Sequence, residues 1–287
     1  MNTKMKIGQK IFDFSGHTYV MGILNVTPDS FSDGGRYTQT DLALKHAEQM
    51  INEGAAIIDV GGESTRPGYE KITIAEETRR VTKMIAAIKK EFSIPVSIDT
   101  YKSPVAKEAF EAGADLLNDV WGLRYEVAGP AHEEAEEIKK AGTMAEVAKK
   151  YDVPVCIMHN RMEPVYTSFI SDVIQDLQES ISLAEAAGIS REKLILDPGI
   201  GFGKTYEMNL HMMNHLEVLK VFDLPILLGT SRKSMIGITL DLPVTQREEG
   251  TLVTTVMAVQ KGCQFVRVHD VEKNIRAIKM AETILKN

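Results

Sequence analysis

Residues 193–204 have the sequence KLILDPGIGFGK, and this stretch contains the pattern from which the fold is predicted. Its apolar run, residues 194–196, predicts a buried strand that ends at Asp197. The loop that follows holds three glycines, which leave the backbone free to let another group approach closely. The loop is not a P-loop, because the first glycine of that motif would fall at Pro198. It is not a dinucleotide fingerprint either, because its glycines occur at every second position.

An apolar run that ends in polar residues and precedes a helical stretch occurs eight times in the chain. The predicted strands are Tyr19–Leu24, Ala56–Val60, Ile94–Ile98, Leu116-Leu117, Val153–Met158, Leu194–Leu196, Pro225–Leu228 and Phe265–Val268. Alternating strands and helices predict parallel strands joined by right-handed crossovers. Strands that are apolar throughout predict a sheet covered on both faces. Eight units over roughly 250 residues predict an α/β fold, the (β/α)8 TIM barrel. The alternative is a doubly wound open sheet.

The predicted helices lie between these strands, and the whole chain, residues 1–287, is interpreted as one domain. They are Leu42–Glu53, Ala75–Glu91, Val105–Ala112, Thr143–Tyr151, Ile170–Ala187, Leu210–Lys220, Arg247–Lys261 and Val271–Leu285. A short N-terminal hairpin, at about 5–20, is predicted to cap the barrel. The long segment at about 124–142 is interpreted as a peripheral elaboration whose charged run forms a solvated helix face.

Composition and charge narrow the class of protein. Of the 287 residues, 44% are hydrophobic and 25% are charged, which is enough to build a sizeable core. The formal net charge of -7 argues against a general nucleic-acid surface. No apolar run has transmembrane length and no signal-like segment is found, so we expect a cytoplasmic protein with no membrane partner. Cys156 and Cys263 lie in apolar runs, which predicts buried free thiols in a reducing compartment.

Polar residues at strand ends are the candidates for function, because the active site of a TIM barrel lies at the C-terminal ends of its strands. They are the carboxylates Asp99 and Asp197, the amides Asn25 and Asn118, the cations Arg66, Lys233 and Arg267, and the imidazole of His269. The sequence shows no Ser-His-Asp order, activated cysteine or zinc-binding cluster. Amides beside cations suit a hard metal such as Mg²⁺ that substrate phosphates largely hold.

Some of these candidates have a simpler structural explanation. Four could be ordinary helix-cap or turn residues: Asn25, Asp99, Asn118 and His269. The lone His159 is interpreted as a structural hydrogen-bonding group rather than a ligand. Lys233 and Arg267 resist such explanations, because a charge at the end of an apolar strand, or inside one, needs a partner.

Eight segments in chain order together resemble the dihydropteroate synthase family, and they span nearly the whole chain. The two longest are MGILNVTPDSFSDGG at 21–35 and DVGGESTRPG at 59–68. The others are SIDT at 97–100, NDV at 118–120, MH at 158–159, DPGIGFGK at 197–204, SRKS at 231–234 and RVHD at 267–270. Each segment is a weak signal alone, but their order at predicted strand ends makes a specific match.

The resemblance implies a TIM-barrel transferase of folate biosynthesis. Enzymes of this family join 6-hydroxymethyl-7,8-dihydropterin pyrophosphate to p-aminobenzoate and release pyrophosphate and 7,8-dihydropteroate. Sulfonamides inhibit them by competing with p-aminobenzoate. The resemblance further implies dependence on Mg²⁺, a homodimer and a cytoplasmic location.

The resemblance also assigns the site residues, according to the part of the substrates that each would contact. The pterin would be bound by Asp99, Asn118, Met158, Asp197, Lys233 and Arg267. The pyrophosphate would be bound by Asn25, Thr65, Arg267 and His269, and Asn25 would also hold the metal. The p-aminobenzoate would be bound by Phe31, Pro67, Phe202, Lys233 and Ser234. Catalysis would rest on Asp33, Arg66, Asp99, Lys233 and Arg267.

The expected mechanism is dissociative: pyrophosphate leaves first, and the amine then attacks a cationic methylene. Loops at 27–37 and 64–69 would become ordered on binding. Lys204 is expected to be a solvated residue beside the site. Two related alternatives are a pterin-binding methyltransferase acting on methyltetrahydrofolate and a non-catalytic pterin-binding paralogue. The apparently complete loop segments favour the synthase over both, and a generic phosphate-binding barrel is the remaining alternative.

Overall fold

A closed ring of parallel strands forms the centre of the molecule. The computed structural model describes residues 3–26, 39–63, 72–128 and 135–287. Strands β1 (Lys4–Ile7) and β2 (Lys10–Asp13) form a separate hairpin. The ring consists of β3 (Tyr19–Asn25), β4 (Ile57–Gly61), β5 (Val96–Asp99), β6 (Leu116–Asp119), β7 (Val155–Met158), β8 (Leu194–Asp197), β9 (Leu227–Gly229) and β10 (Phe265–Val268).

Pairing between these strands closes the ring. Strands β3 to β8 pair with their sequence neighbours in parallel, β10 pairs with β9, and β10 also pairs with β3. A parallel bridge between Leu196 and Ile226 joins β8 to the chain just before β9. The predicted TIM barrel is therefore confirmed, and its first and last strands are neighbours in the ring.

The two sides of each ring strand face different environments, because successive side chains alternate along a strand. In β4, Ile58 and Val60 belong to the large apolar core between strands and helices. Ile57 belongs instead to a smaller core inside one end of the ring. The next position on the inner side is Asp59, which is fully buried. The interior of the barrel is thus apolar at the N-terminal ends of the strands and polar towards the C-terminal ends.

Helices cover the outside of the ring. They are α1 (Gln39–Asn52), α2 (Ile74–Glu91), α3 (Ser103–Glu111), α4 (Tyr125–Ala128), α5 (Ala135–Ala141), α6 (Met144–Tyr151), α7 (Phe169–Ala186), α8 (Tyr206–Asn214), α9 (Ser234–Leu240), α10 (Glu248–Lys261) and α11 (Val271–Leu285). Threonines begin three of them: Thr73, Thr143 and Thr205 each accept a hydrogen bond from a backbone N–H of the first turn. In α6 the Glu146 side chain completes a capping box.

The prediction of one helix over Leu210–Lys220 is wrong. The Thr205 cap begins α8 earlier, and α8 ends at Asn214. A separate 3-10 helix, Leu216–Phe222, follows. Its three buried apolar residues are Leu216, Leu219 and Phe222. They occur at every third position, which is the period of a 3-10 helix rather than that of an α-helix.

The N-terminal hairpin closes the apolar end of the barrel. It is shorter than predicted, because its strands end at Asp13 and Tyr19 already begins β3. Its buried residues Met5, Ile7 and Phe12 pack against ring residues near the strand starts. The ring of Phe12 lies 4.9 Å from that of Tyr19 and 5.5 Å from that of Phe265, between centroids.

The segment at 124–142 contributes both surface and interior. In its described part, the charged residues of α5 are exposed, as expected for a solvated helix face. Arg124, however, donates to the carbonyl of Asn160, and the Tyr125 ring packs 4.5 Å from that of Tyr101.

Both cysteines are buried and free, as predicted. Within the described ranges, no helix is long and apolar enough to cross a membrane.

Removal of the Phe12 ring is expected to destabilise the barrel strongly. Replacing Phe12 with Ala should lower the free energy of unfolding by about 3–5 kcal/mol, because it leaves a cavity in a fully buried core. Urea denaturation followed by circular dichroism measures the change. Ile11→Ala on the same strand is the matched control, because Ile11 is 65% exposed. Equal effects of the two substitutions would show that the hairpin does not contribute to the core.

Candidate active site

A cavity of about 250 Å³ opens at the C-terminal ends of the ring strands. Ten of the site residues expected from the sequence line it: Asn25, Asp99, Asn118, Met158, Asp197, Phe202, Lys233, Ser234, Arg267 and His269. The structure therefore brings together side chains from six strands, from three of the loops that follow strands, and from the start of α9. The other five, Phe31, Asp33, Thr65, Arg66 and Pro67, lie outside the described residues.

Arg267 is the central cation of the cavity. Its side chain extends from β10 across the barrel, where Nε donates to Asp59 Oδ2 at 2.5 Å and Nη2 donates to Asp99 Oδ2. Burial alone would lower the pKa of Arg267, but the two carboxylates outweigh that effect and raise it. The guanidinium therefore stays charged, which confirms the expectation that a cation inside an apolar strand has a partner.

Asp59 is a site residue that the sequence interpretation missed. It accepts from Arg267 and also, at 3.2 Å, from Asn118 Nδ2, so it connects β4 to β6 and β10. A signal was present, because Asp59 is the charged residue inside the apolar run of β4. A cation that is buried at one inward-facing strand position is stable only if a buried carboxylate at another position pairs with it.

One oxygen of the Asp99 carboxylate accepts no hydrogen bond from the described residues. Within the described residues, its Oδ1 atom is buried without a hydrogen-bond partner, and the same holds for Asp59 Oδ1. Burial raises the pKa of Asp99 to about 7, although the Arg267 guanidinium opposes this shift. A buried acceptor without a donor is costly, so the arrangement favours a ligand that presents N–H groups.

Asp197 is oriented by the loop that follows it. Its Oδ1 atom accepts from the N–H of Gly199 at 2.7 Å. Burial raises the pKa of Asp197, and the Lys233 ammonium is the largest influence that opposes this shift. On the adjacent strand, a Cβ atom at Gly229 would lie 3.6 Å from Asp197 Oδ2, so the glycine keeps this part of the cavity open.

Lys233 lines the cavity together with Arg267 and lies immediately before α9. Its ammonium donates to the carbonyl of Ile200 and lies 4.5 Å from the centroid of the Phe202 ring. Burial lowers the pKa of Lys233 to about 8, even though Asp197 raises it. The Lys233 ammonium and the Phe202 ring below it form one wall of the cavity, against which a flat ligand can bind.

Asn25 and His269 mark the seam between the first and last ring strands. Asn25 ends β3, and His269 follows β10, with which β3 pairs. Ser231 Oγ lies 2.9 Å from His269 Nδ1 and also accepts from the His269 N–H at 3.2 Å. These contacts hold His269 at the cavity that it lines.

The expectation that Lys204 is solvated is wrong. Its ammonium contacts His159 Nδ1 at 2.7 Å and donates to two carbonyls of the glycine loop. Burial lowers the pKa of Lys204 to about 7. His159 has the structural role that the sequence suggested, because its Nε2 atom lies 3.0 Å from Asp176 Oδ2 and its ring is buried.

Lys102 is a second buried lysine that sequence reasoning missed. Its ammonium lies 2.8 Å from Glu63 Oε2, 2.8 Å from the carbonyl of Ile72 and 3.0 Å from Glu77 Oε2. Glu63 and Ile72 are the described residues on either side of 64–71. The lysine therefore fixes the two ends of that segment to α3 beside the cavity.

Comparisons with known proteins agree with this geometry. A family model described as "Pterin binding enzyme" matches residues 21–269. The dihydropteroate synthase of Clostridium beijerinckii is 56% identical over 283 residues, which cover 98% of this chain and 100% of that protein.

Two solved structures show the same fold. A Clostridium difficile dihydropteroate synthase, determined with pteroic acid, is 45% identical with a TM-score of 0.86 and covers 99% of this chain and 100% of its own. A Yersinia pestis dihydropteroate synthase in complex with a sulfonamide drug is 39% identical with a TM-score of 0.86, and the match covers 99% of each chain. From the family match, these identities and a barrel with its polar cavity at the strand ends, it follows that this chain belongs to the dihydropteroate synthases, a family of pterin-binding enzymes.

Proposed function

We propose that this chain joins 6-hydroxymethyl-7,8-dihydropterin pyrophosphate to p-aminobenzoate, giving 7,8-dihydropteroate and pyrophosphate. The observation that carries the proposal is the buried Oδ1 atom of Asp99, which has no hydrogen-bond partner among the described residues, in the cavity that the cations of Arg267 and Lys233 also line. A pterin presents ring N–H and amino donors on one edge, while the pyrophosphate needs cations. The cavity supplies both kinds of partner within one enclosed space.

Pterin recognition is assigned to the carboxylates and the amide in the barrel. Asp99 and Asp197 would accept from the donor edge, and Asn118 can both accept and donate. Lys233 would donate to the remaining ring acceptors, and Met158 would contact the ring from β7. The flat guanidinium of Arg267 can stack on the pterin ring while it still reaches a phosphate. Because these groups are buried, an analogue that left one unpaired would bind much more weakly.

The second substrate would bind at the outer rim. Phe202 provides an aromatic wall beneath the Lys233 ammonium, which suits the ring of p-aminobenzoate. Ser234, which is exposed at the start of α9, and Lys233 would face its carboxylate. Phe31 and Pro67, which lie outside the described residues, are assigned to the same ring by resemblance alone.

The mechanism that these positions support is dissociative. The bond between the pterin methylene and pyrophosphate breaks first, because Arg267 and His269 stabilise the charge that develops on the leaving group. The cationic methylene then lies near the carboxylates of Asp99 and Asp197. The amine nitrogen of p-aminobenzoate forms the new bond and loses a proton. Asp33, Thr65 and Arg66 would complete the site from outside the described residues.

The residues present also fit the expected Mg²⁺. Within the described ranges, no group of three or more His, Cys, Asp and Glu side chains could hold a metal unaided. An ion bound mainly by pyrophosphate oxygens needs few protein ligands, and Asn25 and His269 line the same cavity. When bound there, Mg²⁺ would neutralise charge on the leaving group.

A homodimer and a cytosolic location are further parts of the proposal. The last three helices, α9 to α11, pack in sequence and carry exposed apolar side chains. These are Ile238, Leu240, Val253, Met280, Ile284 and Leu285. Such a surface suits association of two copies. The free, buried thiols of Cys156 and Cys263 accord with a reducing compartment.

Pyrophosphate release is expected to need the pterin substrate and to be slowed by a chelator. We expect a coupled assay to detect release both with and without p-aminobenzoate, since departure precedes attack. Release only when the amine is present would contradict the dissociative order and support a concerted path. Absence of both pyrophosphate and dihydropteroate, with the barrel folded, would contradict the proposed function itself.

The pH dependence of kcat/KM for the pterin substrate should be bell-shaped. Activity should rise through about pH 7, as Asp99 becomes the carboxylate that accepts the pterin donors, and fall above about pH 8, as Lys233 loses its proton. Asp99→Asn should lower pterin affinity and abolish the acidic limb. The control Asp241→Asn changes an exposed carboxylate at the end of α9 and should change neither. An unchanged acidic limb in Asp99→Asn would remove Asp99 from this role.

Light scattering in solution should give about twice the chain mass of 31.8 kDa. Met280→Lys places a charge on the apolar surface of α11 and should shift the mass towards that of one chain, because an unpaired charge opposes burial. Val165→Lys is the control, since Val165 is 72% exposed, against 60% for Met280, and lies in the loop after β7 rather than on these helices. A single-chain mass for the unmodified protein would contradict the dimer.

A further inference from the structure

The glycine loop, residues 197–203, lies directly against the backbone that follows β7. Gly199 has a φ of +68°, and a Cβ atom there would lie 1.8 Å from the carbonyl oxygen of His159. At Gly203, with a φ of +52°, it would lie 2.5 Å from the carbonyl oxygen of Arg161. Only glycine permits this approach. The position of the loop is therefore set by the chain at the end of β7.

Lys204, the residue after the loop, holds it in place with all three of its donors. Its ammonium donates to the carbonyls of Gly199 at 3.0 Å and Phe202 at 3.1 Å. The third contact is with His159 Nδ1 at 2.7 Å. An ammonium has three N–H donors and no acceptor, so this set of partners satisfies it completely.

The imidazole of His159 is held in turn by a carboxylate. Its Nε2 atom lies 3.0 Å from Asp176 Oδ2 in α7, and the same carboxylate accepts from Arg161 Nε at 2.6 Å. Because Lys204 donates to Nδ1, the ring proton is on Nε2 and is donated to Asp176. Burial lowers the pKa of His159 to about 4, which agrees with a neutral ring.

The loop that is fixed in this way carries the groups that face the cavity. Asp197 stands at its start, Phe202 near its end, and the carbonyl of Ile200 accepts from Lys233. Lys204 is not among the described residues that line the cavity. Its influence on a bound substrate therefore acts through the loop.

We propose that Lys204 is a positioning residue: together with His159 and Asp176, it holds the 197–203 loop so that Asp197 meets the pterin and Phe202 meets the aromatic amine. This inference rests on the proposed function for the identity of the two substrates. The role differs from that of Lys233, which faces the substrates themselves.

The test compares Lys204→Met with Lys193→Met. Both lysines flank β8, and Lys193 also binds a backbone carbonyl, that of Asp152, but at the opposite end of the strand. Lys204→Met should lower kcat/KM by about 10- to 100-fold, because a small misplacement of binding groups has effects of that size. It should also raise the KM for p-aminobenzoate and speed hydrogen exchange in peptides that cover 197–203. Lys193→Met should change kcat/KM by no more than about twofold.

Several outcomes decide the inference. A Lys204→Met protein with the kcat/KM and the loop exchange of Lys193→Met would overturn it. Faster exchange spread over the whole barrel would show a role in stability only and would also overturn it. If Lys204→Met does not fold, Lys204→Gln, which keeps an amide donor, should give an intermediate loss confined to the same peptides. If the unmodified protein makes no dihydropteroate, the proposed function fails, whereas the exchange comparison still decides whether Lys204 fixes the loop.

Discussion

The ion pair between Arg267 and the carboxylates of Asp59 and Asp99 lies inside the barrel, where neither sign of charge is stable alone. Removing a charge from water costs several kcal/mol unless a partner and hydrogen bonds replace the solvent. The three strands that carry these side chains, β4, β5 and β10, must therefore be positioned together for any of them to be tolerated. A closed parallel barrel meets that condition, because each strand is fixed by neighbours on both sides. The charge cluster depends on the ring, and the substrate site depends on the charge cluster.

The N-terminal end of the barrel contributes mainly to stability, and the C-terminal end holds the polar groups of the active site. At the N-terminal ends of the strands, a cluster of apolar side chains from the ring and the hairpin fills the interior. At the other end the interior holds charges whose acceptors are incompletely satisfied by the described residues. Incomplete satisfaction is unfavourable for the protein alone and favourable for a complementary ligand. The apolar end supplies the stability that allows this.

The sequence predicts a structural feature correctly where the type of a residue alone determines the environment that it needs. Apolar runs ending in polar residues predicted all eight ring strands, and the charge of Arg267 predicted a buried partner. The identity of that partner, Asp59, could not be read from spacing, because Asp59 and Arg267 meet only after the ring closes. The prediction for Lys204 is wrong for a related reason. A lysine after a glycine loop is usually solvated, but the Lys204 ammonium is held by His159, which lies far away in the chain, and by two loop carbonyls. The prediction of one helix over Leu210–Lys220 is wrong because the apolar residues of Leu216–Phe222 occur at every third position and form a 3-10 helix.

The pairing of β3 with β10 brings Asn25 and His269 to the same cavity, although they lie near opposite ends of the chain. A chain that has not closed its ring would hold only half of the anion site proposed there. An anion that bridges the two strands therefore binds the closed ring and not the open one. By mass action, a ligand present at a hundred times its dissociation constant would favour closure by about 2.7 kcal/mol. Substrate supply and the lifetime of the folded protein would then be linked, since β3 and β10 separate least often while a ligand bridges them.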